Sequence, residues 1–218
     1  MKLLVPPQSG SHDGLTASRN SFGQYMRTRA IPVNPASSAQ GAARARLAAY
    51  AALWRTLTDA QRAGWESLGV MMVRTDSLGQ QYTLSGFLAY VAVNSARVAA
   101  GDAAVTDAPA LVTPPTPLTA TVTLTAIAFS IAYTPTPLGA GQRLWGMLSP
   151  QRSAGRNYES DYRLVQVSAA AAASPLNVLA AYTARLGVPV VGNRIFWALQ
   201  TYQAGFLSGP LYGSQVVV

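Results

Sequence analysis

The chain changes character near residue 117, and that change limits the folds open to it more than any single motif does. Residues before it are Arg-rich and divided into helix-length segments. Residues after it form short runs of Val, Ile, Leu, Thr and Tyr separated by Pro and Gly. At 218 residues the chain is long enough for two modest cores, one for each half. Half of the residues are hydrophobic and 11% are charged, which excludes a disordered polar chain. The 18 Gly and 14 Pro supply the turns that a strand-rich part requires.

The second half divides into seven predicted strands: 118–124, 127–133, 143–148, 162–167, 177–183, 194–202 and 211–218. Period-two alternation is clear in Thr119-Ala120-Thr121-Val122-Thr123-Leu124 and in Ile195-Phe196-Trp197-Ala198-Leu199. Seven short strands in about a hundred residues suit an antiparallel β-sandwich. The alanine run 169–173 reads either as one helical turn or as a loop.

The first half reads as three helices. Pro35 opens the first, with Ala39, Ala43, Leu47, Tyr50, Ala51 and Trp54 on one face, and it stops near Leu57. Thr58 with Gln61 has capping-box spacing and starts a second helix that Gly69 ends. Ser85 caps a third, ending before Gly101, whose apolar face encloses Asn94. That amide is expected to hold a loop backbone. Pro109, Pro114, Pro115 and Pro117 make 102–117 an extended, semi-rigid linker.

Residues 1–35 read as an arm without a core of its own. In an extended strand Tyr25, Arg27, Arg29 and Ile31 share one side, and such a strand needs a sheet edge or a neighbouring subunit for its backbone. The predicted class is therefore α+β: an extended arm (1–35), a helical domain (36–101), the Pro-rich linker (102–117) and an antiparallel sandwich (118–218).

The net charge is +8 and uneven: residues 1–75 carry nine Lys/Arg against three Asp/Glu, and fifteen of the sixteen basic residues are Arg. Arg suits planar contacts with carboxylate or phosphate. Arg19, Phe22, Tyr25, Arg27, Arg29 and Ile31, followed by Arg44 and Arg46, are the predicted partner-binding residues. The reading taken is a clamp on an acidic neighbouring subunit. The alternative is single-stranded nucleic acid, held by phosphate pairing and base stacking.

Chemistry is sparse. Without cysteine there is no thiolate metal site and no Cys nucleophile. His12 is the lone histidine, and one His builds neither a His cluster nor a triad by itself. Glu159 and Asp161 are the closest carboxylate pair and read as a solvated loop before a strand, rather than an acid/base pair or a calcium corner. No Gly-rich phosphate loop is present. We expect no enzyme, no cofactor, no metal and no membrane association. Pro6-Pro7 cuts the apolar start Met1–Val5 short of a signal peptide, so the expectation is a soluble protein made in the cytoplasm.

Three stretches together resemble small tailed-bacteriophage and prophage proteins. They are Ser18-Arg19-Asn20-x-x-Gly23-Gln24-Tyr25-x-Arg27, then Pro32-Val33-Asn34-Pro35-x-Ser37-x-Ala39-Gln40, then Trp54-Arg55-x-Leu57-Thr58-Asp59-Ala60-Gln61-Arg62-x-x-Trp65. Leu84-Ser85-Gly86-Phe87 and Asn94 extend the likeness, which covers about residues 9–100 and implies association with a virion. Gly192–Leu199 with Gly205–Pro210 is similar to the last two strands of a fibronectin type III or immunoglobulin-like sandwich. Together these imply a non-enzymatic virion structural protein, capsid-associated or part of a connector, oligomeric in the assembly and made in the host cytoplasm. The third reading is a host-surface or carbohydrate-binding module using Trp145, Tyr158, Tyr162 and Trp197.

Overall fold

The computed structural model describes residues 9–20, 23–31, 33–75, 79–117 and 119–218. The described residues form a mixed α+β structure with four helices and several antiparallel sheets. Its contacts separate an N-terminal unit ending at Arg46 from a second unit, Leu47–Val218.

The N-terminal unit corrects the expectation of an unpaired arm. Strands β1 (Gly10–His12), β2 (Leu15–Asn20) and β3 (Gly23–Thr28) form an antiparallel sheet in the order β1-β2-β3. The segment pairs with itself because Asp13-Gly14 supplies a two-residue turn, with φ of 44° and 80°. Two positive φ values are what a type I′ hairpin requires, and Asp-Gly tolerates them. Leu15 lies opposite Thr28, Thr16 opposite Arg27 and Ser18 opposite Tyr25. Asn34 then takes the Ala36 N–H on its side chain (3.2 Å). The Ser37 hydroxyl accepts the Gln40 N–H (3.3 Å), capping helix α1 (Ser38–Thr56) three residues past Pro35.

In the second unit the rest of α1 packs with α2 (Asp59–Met71) and α3 (Gly86–Ala99). The capping box is present: Gln61 N–H donates to Thr58 Oγ1 (3.3 Å) and Thr58 N–H to Gln61 Oε1 (3.0 Å). Gly69 does not end α2, which runs two residues further. A Cβ there would lie 2.5 Å from the Leu84 carbonyl, so this glycine permits close packing of the chain leading into α3. Tyr90 sits at the centre of this core, edge-on to Tyr50 and Trp65 and against Trp54. From sequence, residues 70–84 read as irregular or hairpin-like with a turn at Asp76–Gly79; strands β4 (Val73–Thr75) and β5 (Gln81–Thr83) pair there, and Asp76, Ser77 and Leu78 lie outside the described residues.

Residues 102–117 have no helix or strand but are packed, so they do more than space two domains. Asn94 donates to the Val105 carbonyl (3.1 Å) and accepts its N–H (2.7 Å), as expected of a buried amide. Trp65 Nε1 donates to the Thr106 carbonyl (2.7 Å), and Val105, Ala108 and Val112 pack on the helices.

Beyond residue 118 the pattern is compatible with a sandwich. One sheet orders β11 (Leu176–Asn177), β7 (Phe129–Thr134) and β6 (Thr119–Leu124). The other orders β10 (Arg163–Val167), β8 (Gln142–Leu148) and β12 (Asn193–Gln203), with β14 (Leu211–Val216) also on β12. Short strands β9 (Arg152–Ser153) and β13 (Phe206–Leu207) add to β12. Phe129, Ile131 and Tyr133 of β7 meet Leu144, Leu148, Ile195, Trp197 and Leu199 in one core. Gly213 lies opposite Trp197, and a Cβ there would come within 2.0 Å of the indole. That approach is why the strand carries a glycine at this position.

The strand expected over 177–183 is corrected. Only Leu176–Asn177 is extended, and helix α4 (Leu179–Leu186) follows. Leu179, Tyr182 and Leu186 recur at helical spacing and all turn to the core, while the intervening alanines favour a helix.

Strand β12 is buried on both faces. Its outward residue Tyr202 stacks on Trp145 near Ala100. Asp102 accepts from the Tyr202 hydroxyl (2.6 Å) and from Arg143 (2.6 Å), and burial with this bond pushes the Tyr202 pKa up. A Cβ on Gly205 would lie 2.6 Å from Val93 of α3. These contacts close one end of the sheet's outer face with the helices.

Candidate functional site

The residues expected to bind a partner lie in the N-terminal unit, and the structure places most of them in solvent. Arg27, Arg29, Ile31, Arg44 and Arg46 are exposed, and Tyr25 is half-buried. The backbone of Arg19 pairs with Gln24, and Phe22 lies outside the described residues. Arg44 donates to Asn34 Oδ1 (3.1 Å) and Arg46 to the carbonyl of Ala42 (3.4 Å). Among the described residues, none of Arg27, Arg29, Arg44 and Arg46 meets a carboxylate. In the second unit Arg62, Arg143, Arg152, Arg156 and Arg163 each do. The His12 side chain meets its neighbour Asp13 (2.8 Å), with both side chains in solvent.

Apolar groups accompany the free cations. In an antiparallel ladder, opposed residues share a face. Leu15, Ala17 and Met26 therefore lie on one face of the β1-β2-β3 sheet, and Leu15 and Met26 are 44% and 43% exposed. The apolar stripe of α1 is covered only towards its C-terminal end, at Tyr50, Ala51 and Trp54. Ala39, Ala43 and Leu47 are exposed.

A second cluster lies on the sandwich, and it corrects the reading of Glu159 and Asp161 as a solvated loop. The Glu159 carboxylate is buried. It accepts from Arg152 Nε, from the N–H groups of Ser160 (2.9 Å) and Asp161 (3.0 Å) and from Arg156 (3.5 Å). The Arg152 bond and then the backbone N–H of Asp161 hold its pKa down at about 2, against the opposing effect of burial. Asp161 takes a two-pronged contact from Arg163 (3.2 and 3.1 Å). With these four donors bound, Glu159 clamps the loop.

Trp145 and Trp197 are each 7% exposed and serve as packing groups, so neither is an open platform. Tyr158 and Tyr162 do border a depression of about 600 Å³, together with Phe196 and Tyr212, which the sequence reading passed over. The signal for Tyr212 was its register: it lies two residues before Ser214, the partner of Phe196 on the outer face.

Among the described residues no group of three or more His, Asp and Glu side chains is placed to hold a metal ion. No described helix is long and apolar enough to cross a membrane. No protein-family model, curated protein or solved structure matches the chain.

Proposed function

We propose that this chain is a non-enzymatic structural protein of a tailed-bacteriophage virion, docked through its N-terminal unit onto an acidic face of a capsid or connector protein. The observation that carries this reading is the set Arg27, Arg29, Arg44 and Arg46, exposed and, among the described residues, without carboxylate partners, in a unit that also exposes Leu15, Met26 and Ile31. Exposed Arg beside apolar groups matches the composition of protein interfaces. A single-strand nucleic-acid site would call for open aromatic faces beside the cations; of the two aromatics Tyr25 is half-buried, and Phe22 lies outside the described residues.

The pairing order supports a fibronectin type III-like identity for the C-terminal part. Its first, second and fifth main strands form one sheet, and its third, fourth, sixth and seventh form the other. The buried Tyr182, between the fifth and sixth, donates its hydroxyl to the Ser149 carbonyl (3.1 Å). Burial pushes its pKa up to about 12. Repeated copies in an assembly, each presenting this sandwich, complete the proposal.

Charge reversal in the full chain tests it. Replacing Arg27, Arg29, Arg44 and Arg46 together by Glu should abolish incorporation into purified virions while leaving the melting temperature unchanged. Normal incorporation rejects the docking role. Filter binding to single-stranded DNA at two salt concentrations separates the nucleic-acid reading, which requires affinity that falls steeply with salt.

A further inference from the structure

The tyrosine-bordered depression on the sandwich has no part in docking through the N-terminal unit. Its floor is Phe196, 5% exposed, on the outward side of β12, where alternation sends Ile195 and Trp197 to the core. Its rim is unusual for a protein surface: Tyr158 is 74% and Tyr212 61% exposed, and Tyr162 leans on Tyr212 with ring centroids 5.6 Å apart. Asn157, Ser160 and Ser214 supply an amide and two hydroxyls between the rings. Among the described residues, the side chains of these three and the three tyrosine hydroxyls make no hydrogen bond within the chain.

The chemistry of a fitting ligand follows. Aromatic faces ask for an apolar ring face, and the unpaired amide and hydroxyls ask for neutral donors and acceptors around its edge. Glu159 is bound by Arg152 and Arg156 and Asp161 by Arg163, and the lining itself contains no Lys or Arg. An anion would therefore find no free cation in the lining. A pyranose has both required properties, a C–H face and a rim of hydroxyls. The Glu159 clamp also fixes the rim between Asn157 and Tyr162 before any ligand arrives, which lowers the ordering cost of binding.

We infer that this depression is a saccharide-binding site, in which Tyr158, Tyr162 and Tyr212 stack on a neutral pyranose while Asn157, Ser160 and Ser214 hydrogen-bond its hydroxyls.

The test uses the full chain with cellotriose, maltotriose, lactose and tri-N-acetylchitotriose as probes in saturation-transfer NMR. At least one probe should receive saturation at its ring C–H protons, with a dissociation constant of millimolar order or tighter. The double variant Tyr158→Ala/Tyr212→Ala removes two exposed rings and should weaken binding at least about tenfold. Ser214→Tyr, which fills the depression from an exposed strand position, should abolish it. Absence of transfer to all four sugars at about 10 mM, or binding unchanged in either variant, overturns the site. Arg27→Glu/Arg29→Glu should bind sugar as the parent does, so failure of the docking proposal and failure of this one are distinguishable.

Discussion

The N-terminal unit and the second unit use the same residue types to opposite ends. In the second unit most arginines are tied to carboxylates or carbonyls, and among the described residues every buried cluster lies at Tyr50 or beyond. In the first, backbone order comes from a turn and a hydrogen-bonded ladder, while cations and apolar side chains face solvent. Regular backbone and a buried core are thus separable. A small sheet needs an apolar face covered before it is independently stable, and among the described residues Leu15 and Met26 of this sheet are exposed.

Trp65→Ala should break the comparison most visibly. The indole is fully buried and donates to the Thr106 carbonyl. Its loss should cost about 3–5 kcal/mol, from the cavity and from the stranded carbonyl together. Leu15→Ala with Met26→Ala should change stability by less than about 0.5 kcal/mol each, as expected of exposed positions. Denaturant unfolding followed by Trp fluorescence measures both. Comparable losses would mean that the N-terminal sheet shares the main core.

Acid sharpens the contrast at smaller amplitude. The folded-state pKa of Glu159 lies at about 2, below its ordinary value of 4.5, so its stabilisation is present above 4.5 and lost as pH falls towards 2. Glu159→Gln should cost about 1–3 kcal/mol at neutral pH, by stripping a charged hydrogen bond from Arg152. The gap between variant and parent melting temperatures should close on acidification through that window. A constant gap would mean that the carboxylate's charge contributes nothing. The gap reports on Glu159, which lies in the sandwich and not in the N-terminal unit.

What was legible in the sequence was local and strongly patterned. Thr58 with Gln61, Ser85 and Asn94 announced their roles because short-range hydrogen-bond chemistry fixes them. Most strands were found by alternation. The run 177–183 reads as a strand from sequence because a short apolar run suits either period, and the choice rests on how Tyr182 reaches the core. The hairpin was missed although Asp13-Gly14 carries its signal, since Gly10-Ser11-His12 before the turn has no apolar residue and the alternation after it stops at Ala17. The Glu159 clamp was hidden because Arg152 looks like any surface cation until β9 joins β12. The tyrosine rim needed Tyr212 brought beside Tyr162 from 50 residues away.

The smallest expected effect is the most searching. Gly14 sits at φ 80°, where a Cβ is strained, although open space surrounds it. Gly14→Ala should therefore cost about 1 kcal/mol through the backbone alone, without any clash. If the N-terminal sheet opens independently, that cost appears as about fivefold faster hydrogen exchange at amides of β1, β2 and the Arg29 N–H that bonds to Gly14, while the main melting transition stays in place. If the melting transition moves instead, the ladder unfolds together with the helices and sandwich. The boundary within α1 would then divide contacts but not cooperativity, and the N-terminal unit would have to be treated as part of the body it was contrasted with.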